Sequence, residues 1–199
     1  QLTKELKNNL KDYSNWEVIF IDDGSADGST LWLSQYCTNN KNFKLIQFFK
    51  NYGKSAALSE GFKIANGEII ITMDGDLQDD PKEIRNLIEK LSQGWDVVSG
   101  WKKNRLDPLS KRVPSKIFNL ITSLFTGVKI HDFNCGLKAY RQSVVKSIDI
   151  YGGLHRYIPA LAGQNKFRVT EIVVNHRARI HGYSKYGGSR LLHGFFDLI

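Results

Sequence analysis

The side chains best suited to chemistry in this chain occur in one short acidic segment, Asp74-Gly75-Asp76-Leu77-Gln78. The segment directly follows the apolar run Ile69–Met73, which is typical of a strand covered on both faces. Because residues two apart in an extended chain point the same way, we expect Asp74, Asp76 and Gln78 to direct oxygen atoms to one point. Such oxygens suit a hard divalent cation that also binds substrate phosphates. A plain acidic turn after a strand is the alternative interpretation.

A second acidic segment, Asp22–Ser29, follows the predicted strand Glu17–Ile21 and leads into a helix. It therefore lies at the carboxyl edge of the sheet, where open α/β sheets bind ligands, and a carboxylate there can accept hydrogen bonds from a base or ribose. A calcium-binding loop does not fit, because its twelfth position is Ser34 instead of a bidentate glutamate. A turn and helix cap over Asp27–Thr30 that needs no ligand stays open.

Two further polar side chains lie in loops beside predicted strands. Lys54 follows a strand and precedes a helix, but the first glycine that a P-loop requires is replaced by Phe48, so that motif is excluded. Lys54 either faces a phosphate or the nucleotide, or is a solvated lysine at a helix start. Asp132 lies in the polar loop His131–Gly136, between a helix and a short strand.

A basic segment over residues 102–116 leads into an amphipathic helix predicted over Val113–Thr126. Charge beside an apolar stripe is typical of a helix at a membrane interface. A helix that packs the stripe into the core fits the same spacing equally well. The apolar positions are Ile117, Phe118, Ile121, Leu124 and Phe125.

The segment Arg177–Gly188 is basic, aromatic and rich in glycine. Guanidinium groups pair bidentately with phosphate and glycines supply hinges, so the segment is suited to closing over a diphosphate. A solvated surface loop is the alternative.

The elements that must position these segments alternate between strands and helices, which indicates an α/β fold with a mainly parallel sheet flanked by helices. We predict strands over Glu17–Ile21, Phe43–Phe49, Glu68–Met73, Asp96–Ser99, Leu137–Tyr140 and Arg168–Val174. We predict helices over Leu2–Asp12, Ser29–Tyr36, Ser55–Asn66, Pro81–Gln93, Val113–Thr126, Gln142–Ile148 and His155–Gly163, and another from Ser189 onward. Asp80, Pro81 and Glu83 provide a capping carboxylate, a first-turn proline and an acid at the positive end of a helix dipole.

The composition favours one domain with anionic partners. The 199 residues contain 28 Lys and Arg against 20 Asp and Glu, which gives a formal net charge of +8. Nucleic acid is disfavoured, because the basic residues are scattered and no nucleic-acid-binding motif occurs. The two cysteines, Cys37 and Cys135, lie in contexts that predict free thiols. No Asn-x-Ser/Thr sequence is present, which agrees with a cytosolic face.

Five segments occur in the order expected of one known family. They are Val18–Ser29, Asn51–Lys54 with Ala57 and Gly61, Met73–Pro81, Asp132–Gly136, and Arg179 with Gly182 and Ser184–Tyr186. Together they resemble the family 2 glycosyltransferases of GT-A fold, particularly the dolichyl-phosphate mannosyltransferase-like and bacterial polyprenyl-phosphate glycosyltransferases. The resemblance implies one GT-A (Rossmann-like) catalytic domain over residues 1–199. It also implies that the first strand of that fold, and any C-terminal membrane segment, lie outside this sequence.

The resemblance further implies roles for residues on the donor side. Asp22, Asp23, Ser25, Lys54 and Asp74 correspond to nucleotide contacts. Asp74, Asp76 and Gln78 resemble the metal-binding D-x-D-x-Q of the lipid-phosphate branch, which implies Mg²⁺ or Mn²⁺ as cofactor. Arg179, Ser184 and Lys185 match the loop that grips the donor diphosphate.

On the acceptor side, Asp132 matches the aspartate proposed as catalytic in the family, and Asp76 is the second residue expected to be catalytic. Lys102, Arg105, Arg112 and Ser115 fall in the region that holds the acceptor phosphate. Two positions depart from common members, because Cys135 stands where serine is frequent and Lys138 where arginine is frequent.

The expected activity is therefore inverting transfer of a hexose from a UDP- or GDP-linked donor to a polyprenyl or dolichyl phosphate, at the cytoplasmic face of a membrane. Two alternatives stay open: a family 2 transferase that acts on a glycan or protein hydroxyl, and a non-catalytic module that binds nucleotide or membrane.

Overall fold

The computed structural model describes residues 1–103 and 119–178. Helices within these ranges are α1 (Leu2–Leu10), α2 (Ser29–Thr38), α3 (Lys54–Ile64), α4 (Glu83–Ser92), α5 (residues 119–126), α6 (Gln142–Ser147) and α7 (Ile158–Gln164), with a 3₁₀ turn over Leu154–Arg156. None of these described helices has both the length and the apolar character needed to cross a membrane. The start of the helix predicted over Val113–Thr126 and the helix predicted from Ser189 lie outside the described residues.

The strands form two sheets. They are β1 (Val18–Asp22), β2 (Phe43–Gln47), β3 (Ile69–Thr72), β4 (Val97–Trp101), β5 (Lys138–Arg141) and β6 (Val169–Val173). Strands β1 and β2 pair in parallel, and the second sheet has the order β3-β5-β4-β6. Within it β4 and β6 are parallel, while β5 runs antiparallel to both β3 and β4. The predicted α/β class is confirmed, with β5 making the larger sheet mixed.

The reversed direction of β5 determines where its preceding loop lies. Lys138, the first residue of β5, pairs with Thr72 at the end of β3 and with Ser99 of β4. The loop that enters β5 therefore meets the carboxyl ends of β3 and β4 at one edge of the sheet. The acidic segment after β3 and the loop that carries Asp132 therefore lie at the same edge.

The larger sheet is covered on both faces, which is visible in the alternation along β4 and β5. Val97 and Tyr140 belong to one apolar cluster, on the side of α3, α6 and α7. Val98 and Ala139 belong to another, with Leu87 and Leu91 of α4. Their burial removes apolar surface from water on both sides and fixes the register of the strands.

Strand β3 is less covered than its apolar sequence predicts. Only Ile70 is buried, and Ile69 is 36% exposed. The reason is that β3 pairs with β5 along one side alone among the described residues, so it is an edge strand of its sheet.

The ends of α1 to α4 and of α6 lie within two residues of the predicted ones. Helix α4 begins at Glu83 instead of Pro81, because Asp80 accepts hydrogen bonds in the preceding turn from the N–H groups of Lys82 and Glu83. The helix predicted over His155–Gly163 is divided, with the 3₁₀ turn ending at Arg156 and α7 starting at Ile158.

Candidate functional site

The acidic segment after β3 is a turn, so the expectation of an extended chain is wrong. Leu77 has a φ of 66°, in the left-handed region that residues with a side chain rarely adopt. The turn is held by its own carboxylates: Asp76 Oδ1 accepts the N–H of Gln78 at 3.1 Å, and Asp79 Oδ2 accepts the N–H of Asp74 at 3.1 Å. A strained backbone that is tied this firmly is characteristic of functional sites.

Three lysines surround the carboxylate of Asp74. Lys54 Nζ lies 2.5 Å from Asp74 Oδ1, and Lys102 and Lys138 act on the same group through their charges. Burial alone would raise the pKa of Asp74, but the lysines lower it below its usual value. Asp74 is therefore a permanent anion at neutral pH.

Lys102 faces the acidic turn. Its Nζ lies 2.9 Å from Asp79 Oδ1, with 12% of its side chain exposed and none of the Asp79 side chain. Burial would lower the pKa of Lys102, but its interactions with Cys135, Asp79 and Asp74 together raise the pKa. The sequence prediction that Lys102 holds an acceptor phosphate is not tested by this ion pair and stays a prediction.

Lys138 is the most deeply buried of the three lysines, at 3% exposure. It donates to the carbonyl oxygen of Cys135, and its charge acts on both Asp74 and Asp132. Burial lowers its pKa. The charge of Lys138 therefore acts on both carboxylates for which the sequence predicts a role, Asp74 on the donor side and Asp132 on the acceptor side.

Gly136 is required for the close approach of the loop to the acidic turn. A Cβ on Gly136 would lie 2.5 Å from Asp74 Oδ2, closer than any real Cβ contact. Only glycine leaves room there for the carboxylate. Thr72 fixes the approach by donating from its hydroxyl to the carbonyl oxygen of Gly136 at 2.8 Å.

The second acidic segment holds the loops around it. Asp22 is buried, and its carboxylate accepts the N–H of Ser25 at 3.0 Å and the hydroxyl of Thr30. Burial would raise the pKa of Asp22, but these hydrogen bonds lower it. The predicted turn at the start of α2 is present, because Asp27 accepts the N–H of Ser29 at 3.0 Å.

Asp23 connects this segment to the acidic turn. Its carboxylate accepts the N–H groups of Tyr52 at 2.6 Å and Gly53 at 2.9 Å. The next residue along the chain, Lys54, makes the ion pair with Asp74. The two acidic segments are thus joined through one short loop at the start of α3.

Asp132 is 1% exposed and lies in the loop that enters β5. Its Oδ1 accepts the N–H of Asn134 at 3.1 Å, and its carbonyl oxygen accepts the hydroxyl of Ser99 at 3.2 Å. Glu171 of β6 holds the preceding residue by accepting the N–H of His131 at 2.7 Å. The loop is therefore anchored to both β4 and β6.

The chain that leaves β6 returns to the acidic turn. Asp79 and His176 form an antiparallel bridge, and the carbonyl oxygen of Gln78 accepts the N–H of Arg177 at 2.9 Å. The Arg177 guanidinium bonds Asp80 at 2.6 Å and Glu5 of α1 at 2.7 Å. The segment that precedes Arg179 is thus fastened beside the predicted metal ligands.

Several predicted site residues lie outside the described residues. They are Arg105, Arg112 and Ser115 on the acceptor side, and Arg179, Ser184 and Lys185 in the predicted diphosphate loop.

A small polar pocket is lined by Lys54, Gly136, Lys138 and His155 among others. His155 Nδ1 is 2.9 Å from Ser55 Oγ, which also accepts the backbone N–H of His155 at 3.2 Å. Burial and then the charge of Lys54 lower the pKa of His155 to about 3. The imidazole is neutral at physiological pH and ties the start of α3 to the 3₁₀ turn.

The fit of a divalent cation depends on the donor set of the acidic turn. Asp74, Asp76 and Gln78 offer oxygen atoms alone, the ligands that Mg²⁺ and Mn²⁺ accept. The missing Cβ of Gly136 leaves the room in which the Asp74 carboxylate lies. Among residues 1–103 and 119–178 no cluster of three or more His, Cys, Asp or Glu side chains is arranged around a common point. The residues fit a site of the kind that the D-x-D-x-Q pattern implies, with two carboxylates, one amide and the remaining ligands from substrate.

Helix α5 exposes apolar side chains. Leu120, Leu124 and Phe125 are 62%, 74% and 78% exposed, whereas Asn119 and Thr122 on its other side are buried. Of the predicted stripe, Leu124 and Phe125 therefore do not pack into the core, whereas Ile121 is half-buried.

Sequence reasoning missed Asp79, His155 and Asn119, and it did not predict that Arg177 pairs with Asp80 and Glu5. Asp79 was detectable, because it directly follows the D-x-D-x-Q pattern. The others act through contacts between segments far apart in the chain, which no local pattern indicates.

Comparison with known proteins gives consistent results. The family model described as Glycosyl transferase family 2 matches residues 1–149. The chain is 41% identical over 189 residues to a dodecaprenyl-phosphate galacturonate synthase of Rhizobium johnstonii, covering 92% of this chain and 56% of the relative. It is 39% identical over 185 residues to an undecaprenyl-phosphate 4-deoxy-4-formamido-L-arabinose transferase of Pseudomonas syringae, covering 92% and 55%. The chain thus spans about half the length of these curated relatives.

Solved structures agree on the fold. A mannosyltransferase of Pyrobaculum calidifontis, in complex with GDP-Man and Mn²⁺, has a TM-score of 0.68 at 17% identity, covering 98% of this chain and 59% of that one. A glucosyl-3-phosphoglycerate synthase of Mycobacterium tuberculosis, in complex with Mn²⁺ and UDP-glucose, has a TM-score of 0.63 at 16% identity, covering 88% and 66%. At these identities the likeness concerns the fold alone.

Proposed function

This chain belongs to glycosyl transferase family 2, and we propose that it is the catalytic domain of an enzyme that moves a hexose from a UDP- or GDP-linked donor to a polyprenyl phosphate. The observation that carries the proposal is that two loops contact the acidic turn at Asp74. The Asp23 loop reaches it through Gly53 and Lys54, and the loop of Asp132 reaches it through Gly136. The names of the relatives, two polyprenyl-phosphate sugar transferases, support the same acceptor class.

The donor binds, in this proposal, along the edge that runs from Asp23 to Asp76. Asp22, Asp23 and Ser25 contact the nucleoside, and Lys54 lies next to its phosphates. Asp74, Asp76 and Gln78 hold Mg²⁺ or Mn²⁺, which when bound supplies positive charge to the departing diphosphate. The diphosphate also receives cationic and hydroxyl donors from Arg179, Ser184 and Lys185. These residues follow Arg177 in sequence, and Arg177 is bonded to the acidic turn.

Transfer is a direct displacement with inversion. An oxygen of the acceptor phosphate forms the new bond to the anomeric carbon, and the bond from that carbon to the nucleoside diphosphate breaks with its electron pair on the leaving oxygen. A phosphate monoester has a second pKa near ~6, so it is mostly ionised at neutral pH and needs little help from a base. Asp132 therefore orients the acceptor; with a hydroxyl acceptor it would have to take up the proton.

The acceptor is taken from a membrane surface, which we infer is the cytoplasmic face. The exposed apolar side of α5 supports this, together with the net charge of +8 that attracts anionic lipids. The residues proposed to bind the acceptor phosphate precede α5 in sequence and are Lys102, Arg105, Arg112 and Ser115.

A vesicle flotation assay with the full-length protein tests the surface. Leu124→Ser lowers binding to vesicles that contain anionic lipid, because it removes an exposed apolar side chain. Leu31→Ser is the matched control, since Leu31 on α2 is similarly exposed at 67%. Equal losses in both variants, or no loss in Leu124→Ser, would contradict the proposed surface.

A transfer assay tests the activity. Full-length protein is supplied with UDP- and GDP-sugars, Mn²⁺ and a polyprenyl phosphate in vesicles, and the lipid-linked sugar is measured. We expect one donor to be used, with activity lost in chelator and in Asp76→Ala. Transfer to a glycan or protein hydroxyl instead would favour the first alternative, and binding of nucleotide without turnover of any donor would favour a non-catalytic module.

A further inference from the structure

Asn119, at the buried side of α5, bonds two residues that flank Asp132. Its Nδ2 donates to the carbonyl oxygen of His131 at 2.6 Å. Its Oδ1 accepts the backbone N–H of Phe133 at 3.3 Å. These contacts are separated by 12 and 14 positions in sequence, so they join α5 to a distant loop.

The position of the two contacts restricts the backbone of Asp132 on both sides. The carbonyl of His131 belongs to the peptide group before the Asp132 Cα, and the N–H of Phe133 belongs to the peptide group after it. One planar amide side chain thus fixes the orientation of both peptide groups, and with them the direction in which the Asp132 carboxylate leaves the chain.

Burial makes the bond to Phe133 hard to replace. Asn119 is 8% exposed, and Phe133 and Asp132 are 0% and 1% exposed. When a buried bonding partner is removed, the remaining donor or acceptor loses its bond without regaining one from water. The loop would relax to satisfy these groups, and the Asp132 carboxylate would move with it.

We propose that Asn119 is a positioning residue for the transfer reaction, which holds the Asp132 carboxylate in the orientation that the acceptor requires. The inference rests on the proposed function of Asp132. Asn119 does not itself touch a substrate in this proposal. It also lies directly before the exposed Leu120, so one face of α5 meets the lipid surface and the other holds the loop of Asp132.

Steady-state kinetics of the full-length protein separate these two roles of α5. Asn119→Ala lowers kcat by roughly a hundredfold, the scale expected when a reacting group is displaced by about 1 Å, and leaves the KM for the nucleotide sugar unchanged. Leu124→Ser does the reverse at the acceptor: it raises the KM for the lipid and leaves kcat within about twofold. Asn39→Ala is the control at an exposed asparagine. Asn39 directly follows α2, and its side chain donates one bond, to the carbonyl oxygen of Gln35.

A double mutant tests whether Asn119 acts through Asp132. In an Asp132→Asn background, Asn119→Ala should cost less than about threefold further in kcat, since the group it positions is already lost. A full additional hundredfold loss would overturn the proposal, and so would an unchanged kcat in Asn119→Ala alone.

Hydrogen exchange measures the contact without any reliance on activity. The amide of Phe133 should exchange at least about tenfold faster in Asn119→Ala than in the parent protein, because its acceptor is gone. Asn119→Asp, which has nearly the same shape, tests the other bond: it replaces the donor to His131 with an oxygen. It should lower both kcat and the temperature of unfolding, because the site is buried, while the amide of Phe133 keeps its acceptor. Unchanged exchange at Phe133 in Asn119→Ala would show that the bond is absent.

The two proposals fail differently. If the parent protein transfers no sugar although the amide of Phe133 is protected by Asn119, the proposed function is wrong. If the parent transfers sugar and Asn119→Ala does so at the same kcat, the positioning inference alone is wrong.

Discussion

Acidification should destabilise this protein through one histidine, His155. Burial and the nearby charge of Lys54 lower its pKa to about 3 in the folded state, against 6.5 as the ordinary value. Between these two values the unfolded chain binds a proton that the folded chain does not. The contribution of His155 to the free energy of unfolding is therefore constant well above pH 6.5 and decreases as the pH falls from there towards 3.

The size of the effect follows from the two pKa values. Between pH 7 and pH 5 the unfolded state gains about 2 kcal/mol relative to the folded state from this group alone, at 1.36 kcal/mol per pH unit below 6.5. The number depends little on the folded pKa, provided that it stays below 4. It is a substantial part of the 5–15 kcal/mol that is typical of a domain.

The assay is urea unfolding of the parent protein and of His155→Asn at both pH values. Asparagine places an oxygen near the position of His155 Nδ1, so it can accept from the Ser55 hydroxyl but cannot be protonated. The parent should lose about 2 kcal/mol more than the variant on going from pH 7 to pH 5. Equal losses would refute the argument that His155 is held neutral in the pocket.

Three further predictions concern single side chains. Gly136→Ala should lower the free energy of unfolding by about 1–3 kcal/mol and weaken donor binding, because its Cβ would meet the Asp74 carboxylate; scanning calorimetry and a donor titration measure both effects. Arg177→Met should cost about 1–2 kcal/mol in urea unfolding, since Arg177 bonds two carboxylates on separate segments, and an unchanged midpoint would contradict this. Iodoacetamide should label Cys37 well before Cys135, because burial raises the pKa of the Cys135 thiol to about 12; mass spectrometry of digested protein reveals the order.

The fold could be predicted largely from local patterns, because alternating strands and helices are encoded in consecutive residues. The starts of α2 and α6, for example, lie at the predicted Ser29 and Gln142. The direction of β5 could not be predicted in the same way, since it depends on which strands it pairs with. The burial of β3 was overestimated for the same reason: an apolar run does not tell whether a neighbour is present on both edges.

In the site, too, residue types could be predicted from the sequence, whereas their geometry could not. The oxygen-bearing residues Asp74, Asp76 and Gln78 were recognisable from type and spacing, yet their geometry was not, because the left-handed Leu77 turns the chain. Nothing in the sequence indicated that three lysines would surround Asp74. Lys138 is identifiable as a polar residue in a strand, but its burial and its interaction with the charges of Asp74 and Asp132 exist only after β5 has paired.

The central claim is that oxygen atoms of the acidic turn hold a divalent ion that bridges to the pyrophosphate of a sugar donor. Calorimetric titration of Mn²⁺ into the full-length protein, with and without the preferred nucleotide sugar, tests it most directly. We predict that the donor tightens Mn²⁺ binding, that Asp76→Asn weakens it by at least about tenfold, and that Asp12→Asn, at an exposed acid after α1, leaves it unchanged. Equal Mn²⁺ affinity in Asp76→Asn and the parent protein, in the presence of donor, would contradict the account.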